Sequence, residues 1–428
     1  MSTLFTGASI LGTDVADIRI DGGVITEIGE NLDRGDSRVV DATGLIALPG
    51  LVDLHTHLRQ PGREDSETVL TGTRAAAAGG YTAVHAMANT TPVQDTAGVV
   101  EQVAKLGKKA GYAFVQPVGA VTVGLNGERL AELEAMHESR AKVTMFSDDG
   151  KCVSDPVLMR RALEYVRSFG GVIAQHAQEP RLTEGAQMHE GSVSAEIGLA
   201  GWPAVAEESI IARDCLLAQH VGSRLHVLHV STKGSVELIR WAKLQGIEVT
   251  AEATPHHLSL DHAKARTYDP RYKVNPPLRT ESDIEALKAG LADGTIDTIG
   301  TDHAPHPVEA KDCEWAAGAF GMTGLETALA VVHQEMIIPG PMTWADVARV
   351  MSIKPAEISG MTDQGQPIEV GNPANICFYD PNSPVTVHGA DQETKSANTP
   401  YEGATLLGRV RHTVFRGRLT YLEGKVTE

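Results

Sequence analysis

Between Leu51 and Thr301, short apolar runs alternate with amphipathic stretches of helical period, and this alternation constrains the fold more than any other property of the chain. The β-type runs fall near 51–55, 82–88, 113–119, 143–147, 172–176, 225–229, 248–253 and 295–301. Helical segments intervene at 66–78, 128–138, 156–168, 204–219, 235–244 and 283–291, with another at 323–334. A strand that hands over to a helix before the next strand begins pairs with it in parallel, because the crossover returns the chain to the same edge. Eight such units in succession predict a (β/α)8 barrel, an α/β fold.

Both ends of the chain read differently. Ile18, Ile20, Val24 and Ile28 lie in two short runs separated by Asp21-Gly22-Gly23, the pattern of a hairpin. Beyond a helical connector at 344–361, β-type runs return at 374–379, 404–407 and 410–421. The expected organisation is a barrel over 51–361 and one small composite β-sandwich domain built from 1–50 and 362–428. The 428 residues are 42% hydrophobic and 21% charged, enough apolar material for a large core. Against 37 Lys and Arg stand 55 Asp and Glu, a formal charge of −18 that disfavours nucleic acid and anionic membranes as partners. The four cysteines are far apart, with no C-x-x-C pair, which favours reduced thiols and a cytoplasmic location. No basic residue precedes Arg19 and the apolar runs are short, so neither a signal peptide nor a membrane span is expected.

Barrel enzymes carry their reactive groups at the C-terminal ends of the strands. Here strand one ends in His55-Thr56-His57, strand two in Asn89, strand four in Ser147-Asp148-Asp149, strand five in His176, strand six in His229 and strand eight in Asp302. Side chains alternate along a strand, so His55 and His57 point to the same side, as a shared metal requires. An isolated H-x-H pair is common by chance, but metal-competent residues at five strand ends are not. Imidazoles and carboxylates suit zinc or a similar divalent ion, with ligands enough for two. His226 and His229 are three apart and face opposite sides, which leaves His229 as the candidate. Adjacent Asp148 and Asp149 also alternate, and spacing does not decide between them. The chain has no G-x-S-x-G elbow, no phosphate-binding loop and no G-x-G-x-x-G after a strand. Metal-activated water is therefore the candidate nucleophile, with Asp302 placed to shuttle its proton to a leaving nitrogen.

Across essentially its whole length the chain resembles the amidohydrolase superfamily, and within it the class I bacterial-type dihydroorotases. The resemblance rests on Pro49-Gly50-Leu51-Val52-Asp53-Leu54-His55-Thr56-His57-Leu58-Arg59, Met87-Ala88-Asn89-Thr90 and Phe146-Ser147-Asp148-Asp149-Gly150. It continues through His226-Val227-Leu228-His229-Val230-Ser231, Lys273-Val274-Asn275-Pro276-Pro277-Leu278-Arg279 and Gly300-Thr301-Asp302-His303-Ala304-Pro305-His306. It implies two Zn2+ ions per subunit, one held by His55 and His57 and the other by His176 and His229. Asp149 would bridge them, and Asp302 would be ligand and general acid/base. It also implies that Arg59, Asn89 and His306 bind a substrate carboxylate, that Asn275 contacts a pyrimidine ring, and that Phe320 and Gly321 complete the pocket. Many relatives bridge their metals with a carboxylated lysine; Lys151 keeps that alternative open. A Met-Pro-Asn-Thr motif usual in the family reads Met87-Ala88-Asn89-Thr90 here.

The implied reaction is the reversible, zinc-dependent cyclisation of N-carbamoyl-L-aspartate to (S)-dihydroorotate in pyrimidine biosynthesis, with a metal-bridging hydroxide as nucleophile. A homodimer and an association with aspartate transcarbamoylase are further expectations that the resemblance raises. Arg59 argues for the substrate class on physical grounds. A cation two residues from a metal-binding histidine is unfavourably placed unless an anion is bound there. The alternatives are a hydantoinase- or allantoinase-type cyclic amidase, which needs no carboxylate site, and an inactive scaffold, which would have lost ligands. The loop from Ala304 to Met322 is expected to act as a lid.

Overall fold

Residues 2–427 are described in this computed structural model. The chain opens with β1 (Thr3–Ile10), β2 (Asp14–Asp21), β3 (Val24–Gly29), β4 (Arg38–Asp41) and β5 (Ile46–Pro49). β2 and β3 form an antiparallel hairpin across Gly22-Gly23, and both glycines adopt the positive φ that such a turn needs. β6 (Leu51–Thr56), β7 (Tyr81–Ala86) and β8 (Phe114–Pro117) then make a three-stranded parallel sheet. Next come β9 (Met145–Phe146) and β10 (Val172–Gln175), a short ladder of β11 (Met188–His189) on β12 (Gly201–Trp202), then β13 (Leu225–Val227), β14 (Val249–Ala253) and β15 (Thr298–Ile299). β9, β10, β13, β14 and β15 form a five-stranded parallel sheet in that order. Parallel bridges Gly119↔Phe146 and Thr56↔His303 carry the pairing from each edge of one sheet to an edge of the other. Leu54, Met87, Val118, Met145, Ala174 and Leu228, drawn from β6 to β10 and β13 or their ends, meet Ile358 in one buried cluster.

β16 (Ile376–Thr386), β17 (Thr405–Phe415), β18 (Arg418–Leu422) and β19 (Lys425–Val426) close the chain. β16 runs antiparallel to β5, with Ile376 opposite Pro49 and Tyr379 opposite Ile46, so strands from both ends share one nine-stranded sheet. Phe5, Ile18, Ile20, Ile25, Phe378 and Val414 form its core. The Phe5 and Phe378 rings stack at 4.4 Å. All four cysteines are free thiols. Among the described residues, no helix is long and apolar enough to cross a membrane.

Helix starts follow local chemistry. Asp155 accepts a hydrogen bond from Leu158 N at 2.7 Å ahead of Pro156, where a missing N–H costs nothing. The structure also departs from the sequence reading in several helical regions, with short unexpected helices at Ser192–Ile197 and Pro255–Ser259 among them. An unexpected helix spans Ala97–Ala110, burying Val100, Val103 and Gly107. Gly107 is required there, because a Cβ would lie 2.4 Å from the Val115 side chain. The segment expected over 128–138 is helical only from Leu133 to Glu138; Leu130 is instead held in an antiparallel bridge to Thr122, with bends before it. The segment expected over 323–334 is α-helical only over Ala328–Val332, followed by a wide turn at His333–Ile337. The connector at 344–361 likewise widens at Arg349–Ile353 just before Pro355, whose ring would clash with a carbonyl four residues back in a regular helix.

Candidate metal centre and substrate pocket

His55 and His57, two residues apart on and just after β6, both turn a ring nitrogen toward Asp149, which sits between them and a second pair of histidines. Asp149 Oδ2 lies 3.4 Å from His55 Nε2 and 3.3 Å from His57 Nε2. Its Oδ1 lies 3.2 Å from His176 Nδ1 and 3.3 Å from His229 Nε2. One carboxylate thus offers one oxygen to each imidazole pair. Asp302 Oδ1 closes the first group at 3.0 Å from His57 Nε2 and 3.4 Å from His55 Nε2. Asp148 points elsewhere: its Oδ1 accepts Val121 N at 2.8 Å and Thr122 N at 2.9 Å. Lys151 is exposed.

Hydrogen bonds behind the rings fix which nitrogen faces the centre. His55 Nδ1 donates to Glu252 Oε1 at 2.6 Å, His57 Nδ1 to Asn89 Oδ1 at 2.9 Å and His176 Nε2 to Gln178 Oε1 at 2.7 Å. Each leaves its other nitrogen turned inward. His55 Nε2 is buried without a hydrogen-bond partner. His176 Nδ1 and His229 Nε2 approach to 2.8 Å around the Asp149 oxygen. Converging ring nitrogens and carboxylate oxygens of this kind fit divalent cations.

The electrostatics run the same way. Burial alone would raise the Asp149 and Asp302 carboxyls, but the charge of His55, aided by hydrogen bonds from His176 and His229 to Asp149 and from His57 to Asp302, holds both well below the usual carboxylate range. Glu252 is likewise held down, to about 2, against its burial by His55 and by a hydrogen bond from His226. His55 is pushed up by Asp149, Glu252 and Asp302 despite burial. The backbone is strained where it delivers the groups: φ is 61° at Arg59, 30° at His229 and 47° at Asp302, conformations that cost non-glycine residues about 1–3 kcal/mol each. Glu252 Oε1 holds His229 N at 3.2 Å. Buried Asp53 ties β6 to the end of β15 by accepting His55 N at 3.0 Å and Thr301 N at 3.1 Å.

A cavity of about 250 Å³ opens onto this centre. Arg59, Asn89, Asn275, His306, Phe320 and Gly321 line it, together with Arg63. Arg59 is 5% exposed, and among the described residues no carboxylate lies within ion-pairing distance of it. Its Nε donates to Pro305 O at 3.1 Å. Burial, with the charge of Arg63, makes its cation less favourable than in water. His306 donates from Nε2 to Phe320 O at 2.8 Å; burial and the charge of Arg59 push it down to about 2, so the ring is neutral. Asn275 Nδ2 donates to Gln178 Oε1 at 3.2 Å, and its Oδ1 is buried without a partner. At Gly321, φ is 132° and a Cβ would meet Ala304 Cβ at 2.7 Å, so only glycine lets the two walls approach this closely.

The structure therefore brings His57, Arg59, Asn89, Asp149, His176, Asn275, Asp302, His306, Phe320 and Gly321 to one cavity, with His55 and His229 buried behind it against Asp149 and with Asp148 turned away. Residues that escaped that reading include Glu252 and Asp53, each a charge flanked by apolar residues within its strand, Gln178, two residues after His176, and Arg63 on the cavity wall. The interrupted apolar pattern at Val52-Asp53-Leu54 and Ala251-Glu252-Ala253 was the available signal. His226 is buried against Glu252 Oε2 at 3.3 Å and Thr250 Oγ1 at 2.9 Å, away from the cavity.

A model of the dihydro-orotase-like family matches residues 44–235. The dihydroorotase of Streptomyces coelicolor is 64% identical over 425 residues, covering 99% of this chain and 99% of that protein. That of Mycobacterium tuberculosis is 54% identical over 428 residues, covering 100% of each. Among solved structures, the L-hydantoinase (dihydropyrimidinase) of Arthrobacter aurescens is similar at a TM-score of 0.89 and 26% identity, covering 100% of this chain and 97% of the other. The dihydropyrimidinase of Brevibacillus agri is similar in fold, at a TM-score of 0.85 and 24% identity over 100% and 96% of the two chains.

Proposed function

The chain belongs to the dihydroorotases of the amidohydrolase superfamily, and from that premise we propose that it interconverts N-carbamoyl-L-aspartate and (S)-dihydroorotate. The observation that carries this reading is Arg59, a buried guanidinium without a carboxylate partner that faces the same small cavity as the histidine–aspartate centre. A buried cation of this kind needs an anion. The substrate carboxylate supplies it, which favours this pair of substrates over hydantoin or allantoin.

We further infer that the eight parallel strands close into a (β/α)8 barrel over 51–361 and that the terminal sheet folds as a β-sandwich domain from 1–50 and 362–428. The bridges at Gly119 and Thr56 support the closure. His55 and His57 would hold one Zn2+, His176 and His229 a second, with Asp149 shared and Asp302 beside the first. Bound there, zinc supplies Lewis acidity that lowers the pKa of water and polarises the amide carbonyl. Arg59 and the wall at His306 hold the carboxylate, Asn89 steadies His57, and Asn275 presents its unpartnered Oδ1 to a ring N–H. In ring opening, Asp302 takes a proton from the attacking water and delivers it to the departing ring nitrogen as the C–N bond breaks. In closure it removes the proton from the ureido nitrogen that attacks the side-chain carboxyl carbon. Four free thiols and the metabolite substrates are consistent with a cytoplasmic enzyme.

Two expected results follow. Ring closure turns a dianion into a monoanion and water, consuming one proton. Around neutrality the equilibrium ratio of dihydroorotate to N-carbamoyl-aspartate should rise about tenfold per unit fall in pH, and flatten only where the carboxyl itself becomes protonated. End-point composition reached from both directions at several pH values measures this; a pH-independent ratio would refute the chemistry. Replacing Arg59 by methionine should raise KM for dihydroorotate by roughly 10- to 100-fold, the loss of a charge-assisted bond worth about 1.5–3 kcal/mol. Steady-state kinetics would contradict this assignment by returning the wild-type KM.

A further inference from the structure

The connection between β16 and β17 leaves the terminal sheet and packs behind the pocket wall formed by Ala304, His306 and Gly321. Asn398, 4% exposed, uses its whole amide on the far wall of the pocket. Its Nδ2 donates to Ala304 O at 3.0 Å and to Gly321 O at 3.3 Å, and its Oδ1 accepts His306 N at 3.1 Å. Its backbone oxygen accepts Thr323 N at 3.2 Å. The two chain segments that Asn398 joins are those whose close approach forces glycine at position 321.

A few residues earlier, the same connection grips the loop that carries Arg59. The Thr394 hydroxyl donates to buried Glu67, Lys395 N donates to Glu67 Oε1 at 3.2 Å, and Ser396 Oγ donates to Ser66 O at 2.6 Å. Ser66 N in turn donates to Arg63 O at 3.0 Å, and Arg63 N to Arg59 O at 3.1 Å. Glu326 anchors the start of the segment by accepting the backbone N–H of Glu393 and of Thr394, each at 3.1 Å. Five consecutive residues thus span from the Arg59 loop to the His306 loop.

We propose that residues 394–398 are a clasp that sets the separation of these two loops, with Asn398 a positioning residue for the substrate carboxylate. The inference rests on the reading of Arg59 and His306 as the carboxylate site. The hydrogen-bond partners of Asn398 include none of His55, His57, His176 and His229 and neither Asp149 nor Asp302, so the metal centre stands outside its reach. Displacing a binding loop by about 1 Å can cost up to 10²-fold.

Asn398→Leu removes all three side-chain bonds at similar volume. Asn398→Asp keeps the acceptor for His306 N but sets a carboxylate against the carbonyls of Ala304 and Gly321. Both variants should raise KM for dihydroorotate by roughly ten- to a hundredfold, with kcat within a few-fold and zinc content unchanged. Calorimetric affinity for orotate, a carboxylate-bearing ring, should weaken by the same factor. Wild-type KM and orotate affinity in the variants would overturn the clasp, even with a lowered Tm, since that pattern describes a merely structural residue. Loss of kcat together with zinc would overturn it too. If Asn398→Leu does not fold, Asn398→Asp and Ser396→Ala carry the same comparison. Wild-type protein without turnover of dihydroorotate would sink the functional reading and the clasp with it, whereas turnover with unaltered variants sinks the clasp alone.

Discussion

Replacing Asp302 by alanine is expected to lower kcat by about 10²–10⁴-fold in both directions. Its carboxylate lies 3.0 Å from His57 Nε2 and is held ionised, which equips it to take up and return a proton without leaving the cavity. The left-handed backbone at this residue, with φ of 47°, keeps the side chain in the mouth instead of along the strand. Asp302→Asn preserves shape and polarity but cannot exchange the proton, so it should lose nearly as much. Because Asp302 also neighbours the first cation position, zinc content must be measured beside kcat. A variant with full zinc and a collapsed kcat isolates proton transfer, and one with full activity removes Asp302 from the reaction.

His55→Ala should be at least as damaging, with kcat falling by about 10³-fold or more and zinc content dropping by at least one equivalent per chain. His55 is the point where three buried carboxylates meet: Glu252 on one ring nitrogen and Asp149 with Asp302 around the other. Removing the imidazole leaves Glu252 short of the partner that holds it ionised, so stability should fall as well. Stripping metal from the wild type with a chelator should reproduce the loss of activity and lower Tm. Restoring zinc to about 1,000 times its Kd should return about 4 kcal/mol of stability. Calorimetric unfolding with and without zinc reads this directly; an unchanged Tm would speak against a metal bound to the folded state.

What was legible in the sequence is what local periodicity encodes. Two-residue alternation is enough to put His55 and His57 on one side and to separate His229 from His226, because the geometry of a strand is the same wherever it occurs. It cannot separate Asp148 from Asp149. That choice was made by Val121 and Thr122, whose backbone N–H groups hold Asp148 from a segment more than twenty residues upstream. Glu252 and Asp53 were hidden for a related reason: each matters through residues distant in sequence, His55 for the one and Thr301 for the other. Asn398 lies in an irregular connection with no period to betray it. The helix at Ala97–Ala110 was missed where two glycines and several lysines leave its buried face with only Val100 and Val103 as sizeable apolar side chains. The widened turn before Pro355 needed knowledge of which carbonyl the ring would strike.

If the proposed amidase centre and carboxylate site share one cavity, substrate choice should follow from Arg59. The most direct test is turnover by the zinc-loaded protein of dihydroorotate, hydantoin and allantoin in parallel, each followed by disappearance of the ring. Dihydroorotate should be opened with a kcat/KM at least about 10²-fold above either of the others, because only it satisfies Arg59. Equal or preferred opening of hydantoin would contradict the assignment of that arginine and, with it, of the substrate.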